Sequence, residues 1–304
     1  MSSIATLLTI VSRVLNVSTM PVQLSLPPFC FSIDTANSLV SENLRRLYPV
    51  EAFTQAALVD YHLQLLPGVG IHRFYHQQAR FLCDGREPFT PLPAAHGYAM
   101  LEWGMNWAIA SQEFSHVIVH AGVLAFGDHA VMFPAPPGSG KSTLTLWLAF
   151  HGWRLLSDEM GLLVPNSLDV LPFVRPICLK NRSIELAKQW LPDAVYSTIC
   201  HDTHKGDVIH VSPPELSWQH KTRPAQLRAI VFPKYQAGSA LQITKLNQAQ
   251  AFMELANNAF NMSLLGQLGF DSALLLVEQL PVYQIQYADL SEVTQFLHEV
   301  LDAI

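Results

Sequence analysis

Residues 130–159 read AVMFPAPPGSGKSTLTLWLAFHGWRLLSDE, and this stretch decides the fold. Ala130 to Phe133 is a short apolar strand, and two glycines with several prolines make a loop. A helix is expected from about Lys141 to Phe150, with Gly152 at its C-terminal cap, and Arg154 to Leu156 begins another strand. Strand, glycine-rich loop, helix and strand in this order form the βα unit of α/β nucleotide-binding proteins. The run Ala135-Pro136-Pro137-Gly138-Ser139-Gly140-Lys141-Ser142 has the Walker A spacing, with Ala135 in place of the usual first glycine. A triphosphate needs backbone N–H groups converging on its oxygens, which requires glycine wherever a Cβ would block the approach. It gains further from the positive end of the helix behind the loop. Gly138 and Gly140 meet that demand. Lys141 is placed to put an ammonium between the outer phosphates and Ser142 to offer its hydroxyl to Mg²⁺, and Thr143 completes the nucleotide-contacting set. The plainer alternative is a proline-glycine turn with Lys141 exposed at the start of a helix. Strand and helix lie where the phosphate loop requires them.

Working outward, Asp158 and Glu159 follow the strand that begins at Arg154. In a parallel unit both strands end on one side of the sheet, which brings these acids to the crevice beside the loop. One is then placed to hold Mg²⁺ through water, and the other to accept a proton from an acceptor hydroxyl. Successive strand residues point to opposite faces, so both roles require the chain to leave strand geometry there. A solvated strand end is the alternative. His120 ends the apolar run Val117 to Val119 and, taken alone, reads as a core histidine. Cys200-His201-Asp202-Thr203-His204 places two histidines close together, but a zinc site needs about four ligands of fitting geometry. A loop is expected instead, in which His204, Lys205 and Gly206 meet a phosphate.

At roughly 150 residues per domain, the chain of 304 residues suggests two domains, or one large domain with a smaller attachment. Half its residues are hydrophobic and only 14% are charged, against roughly 25% in ordinary soluble proteins, which excludes a disordered chain or a polyampholyte coiled coil. A formal charge of -6 without a long single-sign block gives no reason to expect nucleic acid or an anionic membrane as partner. Cys30, Cys83, Cys178 and Cys200 form no CxxC pair and read as reduced thiols of a cytoplasmic protein. The apolar stretch Ile4 to Ile10 is followed by Arg13 and no small-residue cleavage site, so no signal peptide is expected. No apolar run reaches the roughly 18 residues that span a bilayer, and no repeat of fixed period is visible.

A smaller N-terminal α+β domain, 1–113, is expected to hold a strand at 29–33 and a helix capped by Thr35 with Leu39, Val40, Leu44 and Leu47 on one face. It also holds a hairpin turning at Asp84-Gly85, and a helix over 94–111 whose stripe of Met100, Leu101, Trp103, Gly104, Trp107 and Ala108 can dock between domains. The loop-bearing domain, 114–304, opens with a β-rich run at 117–124. Helices near 183–190, 248–259, 272–279 and 291–301 and strands at 229–232 and 282–286 follow.

Leu101-Glu102-Trp103-Gly104-Met105-Asn106-Trp107, then His120-Ala121, Pro134 to Ser142, and His151-Gly152-Trp153-Arg154-Leu155-Leu156-Ser157-Asp158-Glu159 resemble the HPr kinase-related kinase A family. They resemble more distantly the HPr serine kinase/phosphorylase. The close likeness covers residues 95–185. It implies an α/β fold with a P-loop kinase core of the HPr kinase/phosphoenolpyruvate carboxykinase-like type over 114–304. The implied activity is ATP- and Mg²⁺-dependent phosphoryl transfer to a serine of a small protein or peptide, by a homo-oligomer. Under the resemblance the phosphate loop falls on Ala135 to Ser142, the catalytic aspartate on Asp158, the second acid on Glu159 and the site histidine on His120. HPr kinases usually show two aspartates at the paired position, so Glu159 is a departure. The family's glycine-rich second signature is replaced by Val174-Arg175-Pro176-Ile177-Cys178-Leu179-Lys180-Asn181, which argues for a different acceptor and against reversible phosphorolysis. Arg175 and Lys180 are candidates for phosphate or acceptor contacts, with surface salt bridges as the alternative. In the implied mechanism Lys141 neutralises the phosphates, Ser142 and Glu159 support Mg²⁺, and Asp158 orients and deprotonates the acceptor with His120 nearby. A small-molecule kinase and a nucleotide-sensing module without turnover are the rival readings.

Overall fold

The computed structural model describes residues 21–303; the stretch Ile4 to Ile10 and Arg13 lie outside them. The architecture is mixed α/β, with three sheets and nine α-helices among the described residues. The first part of the chain runs β1 (Val22–Leu26), β2 (Phe29–Thr35), α1 (Ser38–Leu47), β3 (Phe53–Thr54), β4 (Tyr61–Pro67), β5 (Gln78–Cys83), β6 (Leu92–Pro93) and α2 (Gly97–Gln112). Its sheet has the order β3-β1-β2-β4-β5-β6, antiparallel except for the β2–β4 pair that α1 connects. Val40, Leu44 and Leu47 of α1 are buried at helical spacing, while Leu39 is only partly covered. The helix cap is Asn37 rather than the expected Thr35. Strand β2 runs on through Thr35 and the helix begins at Ser38, so the cap falls at Asn37, whose side chain accepts from Leu39 N at 3.1 Å. The Asp84-Gly85 turn has positive φ at both residues and closes a Cys83–Arg86 bridge.

The chain continues through β7 (Val117–Val119), β8 (Ala121–Phe126), β9 (His129–Pro134), α3 (Lys141–Phe150), β10 (Arg154–Ser157), β11 (Gly161–Leu163), β12 (Asp169–Leu171), β13 (Ile177–Lys180) and α4 (Arg182–Trp190). It ends through β14 (Cys200–Thr203), β15 (Gly206–Val211), α5 (Glu215–Gln219), β16 (Ala225–Tyr235), β17 (Gln242–Lys245), α6 (Gln248–Asn257), α7 (Met262–Leu265), α8 (Gln267–Gln279), β18 (Val282–Tyr287) and α9 (Leu290–Asp302). The large sheet follows β10-β8-β9-β16-β12-β11-β7, with β18 beside the C-terminal half of β16, and β13-β15-β14 form a small third sheet.

Strands β9, β16 and β18 are parallel, whereas β8 is antiparallel to both β9 and β10. The expected parallel unit therefore has β8 inserted between its two strands, yet β9 and β10 still point the same way and end on the same edge. The β-rich run at 117–124 is two strands broken at His120, because β7 pairs with β11 while β8 pairs with β9 and β10. Residues 200–203, expected as a loop, form β14. The strand pairs with β15 across a register shift, and Asp202 takes a positive φ of 54° there, which hides the alternation by which a strand is recognised.

Helix α2 lies between the sheets. Met100, Leu101, Met105, Ala108 and Ile109 enter the core of the six-stranded sheet, where Ile118, Met160, Leu162 and Phe173 join them from beyond position 114. Ala99 and Trp103 face Cys178, Cys200 and Val208 of the small sheet. The approach to β5 is so close that a Cβ at Gly104 would overlap the Phe81 ring.

Candidate phosphate-binding site

The loop leaves β9 at Pro134 and enters α3 at Lys141. Gly140 is the residue before the helix, with φ 91°, and a Cβ there would stand 2.8 Å from Tyr235 Cβ. Only glycine takes this conformation and permits this approach without strain. Tyr235 N donates to Ser139 O at 2.8 Å, so the loop is tied to β16. No side chain caps the N-terminus of α3, which leaves its first amides available to an anion. A cleft of about 570 Å³ opens over these amides; residues 136–143 form one wall, and Trp103, His120, Glu159, Lys180, Lys205 and Phe260 line the others.

Lys141 is buried, and its Nζ donates to the backbone oxygen of Asp158 at 2.7 Å while lying 3.5 Å from His120 Nε2. The His120 ring leans on Phe260, and its backbone N–H donates to Asn258 O at 2.7 Å. Burial, and after it the Lys141 charge, push the imidazole down to about 4, so it is neutral at pH 7. The histidine that alone reads as core thus stands beside the lysine in the cleft.

Strand β10 ends at Ser157, and the chain bends at 158–159. That bend sends the two acids different ways. Asp158 is buried; its Oδ2 accepts from Ser142 Oγ at 3.2 Å and from Cys178 N at 3.1 Å, and its Oδ1 is buried without a hydrogen-bond partner. Burial raises this carboxyl above its ordinary range, Lys141 opposes the rise and Glu159 adds to it. The Glu159 side chain is 18% exposed and faces the cleft, where its Oε2 accepts from Asn106 Nδ2 and its Oε1 lies 3.9 Å from Lys180 Nζ. Burial would raise Glu159, but Lys141, Lys180 and Arg175 together outweigh it and hold the carboxyl at about 2. The expectation put Asp158 on the acceptor and Glu159 on the metal. The bend turns Asp158 inward to Ser142 and leaves Glu159 on the open side of the cleft.

Arg175 is not a surface residue: it is 8% exposed, 3.5 Å from Glu102 Oε2, bonded to Asn106 Oδ1, and set over the Phe173 ring. Lys180 does reach the cleft. Burial works against its charge, while Cys178, Glu159 and Asp158 raise its pKa. His204 packs edge-on against Trp103, and Lys205 Nζ stands 5.1 Å above the same indole. The Cys200 thiol is buried and pushed up to about 11, while His201 points out to Asp207 at 2.9 Å. No group of three or more His, Cys, Asp or Glu side chains that could hold a metal ion occurs among the described residues.

Trp103, Asn106 and Phe260 are cleft residues that motif reasoning did not assign, while Lys205, expected to meet a phosphate, does line the cleft. The legible signal was in α2: Glu102 and Asn106 are polar residues four apart in a helix otherwise rich in apolar side chains. Compared with known proteins, the chain matches no family model and no curated protein. Among the described residues no helix is long and apolar enough to cross a membrane.

Proposed function

We propose that this chain is an ATP-dependent phosphotransferase, with the P-loop kinase core of the HPr kinase/phosphoenolpyruvate carboxykinase-like type that its motifs resemble, acting on a serine hydroxyl of a small protein or peptide. The observation that carries the reading is the meeting of Lys141, Ser142 and Asp158 behind a glycine loop, with Ser142 Oγ 3.2 Å from Asp158 Oδ2. A lysine, a helix-start hydroxyl and a strand-end aspartate in this relation serve nucleoside triphosphates in P-loop proteins. The donors here suit Mg²⁺: Ser142 and Asp158 offer only oxygen, and Asp158 Oδ1 is an acceptor without a partner. Bound with the nucleotide, the ion would neutralise charge on the outer phosphates.

The chain's own groups divide the remaining work. Free amides at the start of α3 and the Lys141 ammonium hold the phosphates in place of the Asp158 carbonyl. Glu159, the acid facing the cleft, orients the acceptor hydroxyl, whose oxygen forms the new bond to the γ-phosphorus as the bond to the β–γ bridging oxygen breaks. The hydroxyl proton passes to the Glu159 carboxylate. A strong base is not required, because little proton transfer is needed in a loose phosphoryl-transfer transition state. Neutral His120 keeps a second cation away from Lys141.

Incubation with a lysate of the source cells and ATP carrying a heavy-oxygen γ-phosphate tests this, read by mass spectrometry beside Asp158→Asn and Glu159→Gln. Labelled serine seen only with the unmutated chain supports the proposal. ADP formation without labelled polypeptide moves the reading to a small-molecule kinase. The burial of Asp158 and the low basicity of Glu159 favour a nucleotide-sensing module as the second reading; tight nucleotide binding without ADP would identify it.

A further inference from the structure

Helix α2 carries Tyr98, Glu102 and Asn106 four residues apart, so three polar groups stand in a row on one face. Glu102, 3% exposed, accepts at Oε1 from Tyr98 Oη at 2.6 Å and from Tyr48 Oη at 2.8 Å. Its other oxygen faces Arg175, which also donates to the Glu102 backbone oxygen at 3.3 Å and to Asn106 Oδ1. Arginine has donors only, so the Asn106 amide must turn its oxygen toward Arg175. Its nitrogen is thereby aimed at Glu159 Oε2, which accepts from it. The amide has one orientation that satisfies both neighbours, and the buried pair of Glu102 and Arg175 selects it.

We infer that Asn106 and Arg175 are positioning residues: through them the N-terminal part of the chain, by helix α2 and Tyr48, fixes the Glu159 carboxylate in the cleft. The kinetic consequence rests on the proposed function; the hydrogen-bond chain does not. Other groups facing Glu159 are Lys141, Lys180 and His120, with Asp158 beside it. These cations attract the carboxylate without setting its direction, since a lysine ammonium acts as a point charge. Direction comes from the planar amide.

Removing a partner that orients a metal ligand costs about tenfold to a hundredfold in activity, and a loss of kcat for ADP release of the same order is expected in Asn106→Ala, where the oriented group is a carboxylate. Its Kd for a fluorescent ATP analogue changes less than about twofold, because the interaction is felt at the reacting acceptor and not by the bound nucleotide. Glu159→Gln combined with Asn106→Ala is expected to be no slower than Glu159→Gln alone, as for residues acting as one unit. Multiplying losses in that double variant, or a Kd that rises by as large a factor as kcat falls, overturn the inference. A second measurement needs no turnover. The Asn106 side-chain amide resonances, assigned by their disappearance in Asn106→Ala, are expected to move in Glu159→Gln while the melting transition is kept. If they stay in place, Asn106 is not bonded to Glu159 and the inference fails. If the unmutated chain binds nucleotide but releases no ADP, the proposed function fails, and the resonances still decide the hydrogen-bond chain.

Discussion

Gly138 and Gly140 offer a matched pair of perturbations, because both hold nearly the same backbone conformation, φ 88° and 91°, and differ in what surrounds them. Placing alanine at either position imposes the left-handed conformation on a residue with a Cβ, at about 1–2 kcal/mol. The stiffer unfolded chain returns about 0.4–1 kcal/mol. Gly138→Ala, whose Cβ meets nothing within 4 Å, therefore costs about 1 kcal/mol. At Gly140 the Cβ stands 2.8 Å from Tyr235 Cβ and 3.1 Å from Tyr287 Oη. Tyr235 is held by its backbone bond to Ser139 O, and Tyr287 is buried, so neither retreats freely. Overpacking of this kind adds about 1–3 kcal/mol, which brings Gly140→Ala to about 2–4 kcal/mol. Urea titrations of the two variants give the difference directly as a shift in midpoint at constant slope. Equal losses would refute the account, since they would mean that the loop does not press on β16 as described. A Gly140→Ala chain that binds a fluorescent ATP analogue as tightly as the parent would also show that loop position is unimportant to the phosphates.

Lys141→Ala is expected to abolish ADP release and weaken nucleotide binding, whereas Asp158→Asn keeps the fold and nucleotide binding while losing turnover; if the second variant loses binding and fold together, Asp158 is structural. His120 carries a pH signature. Its folded pKa is depressed from 6.5 to about 4, so the stability contributed by the neutral imidazole is present above about pH 6.5 and lost as pH falls toward 4. That interval corresponds to at most about 3 kcal/mol. His120→Gln should flatten this limb of the urea midpoint against pH, and an identical slope in both proteins removes His120 from the explanation.

What the sequence disclosed and what it withheld follow from the range of the forces involved. The bounds of α3 are local, set by Gly140 before it and Gly152 after it, and the reading of 141–150 agrees with the structure residue for residue. The insertion of β8 between β9 and β10 is not local: it depends on a hairpin turning at Gly127-Asp128, and pairing order leaves no mark on periodicity. Strands β11 to β13 are three or four residues long, too short for alternation to declare itself. The nearness of Asp158 and Glu159 to the loop was readable from strand direction alone. Their division was not, because it depends on the bend at 158–159 and on Asn106, which arrives from fifty-three residues earlier.

The opposite shifts of these two neighbouring acids are a consequence of that bend. Where environments push a pair of titratable groups apart, their chemical tasks separate with them. Asp158 is kept from solvent and gains one donor from Ser142 and one from the backbone, a setting in which an approaching cation adds the missing counter-charge. Glu159 already has its counter-charges in Lys141, Lys180 and Arg175, and so remains ionised. Under the proposed function a triphosphate entering the cleft takes Lys141 and Lys180 as its own partners, and the Glu159 carboxylate loses part of the field that suppresses its basicity. Its power to accept a proton then rises when the nucleotide is in place and is lowest without it. Arg175, bound to Glu102 and Asn106 on the buried side, is beyond the reach of the phosphates and keeps the carboxylate in position while its basicity changes.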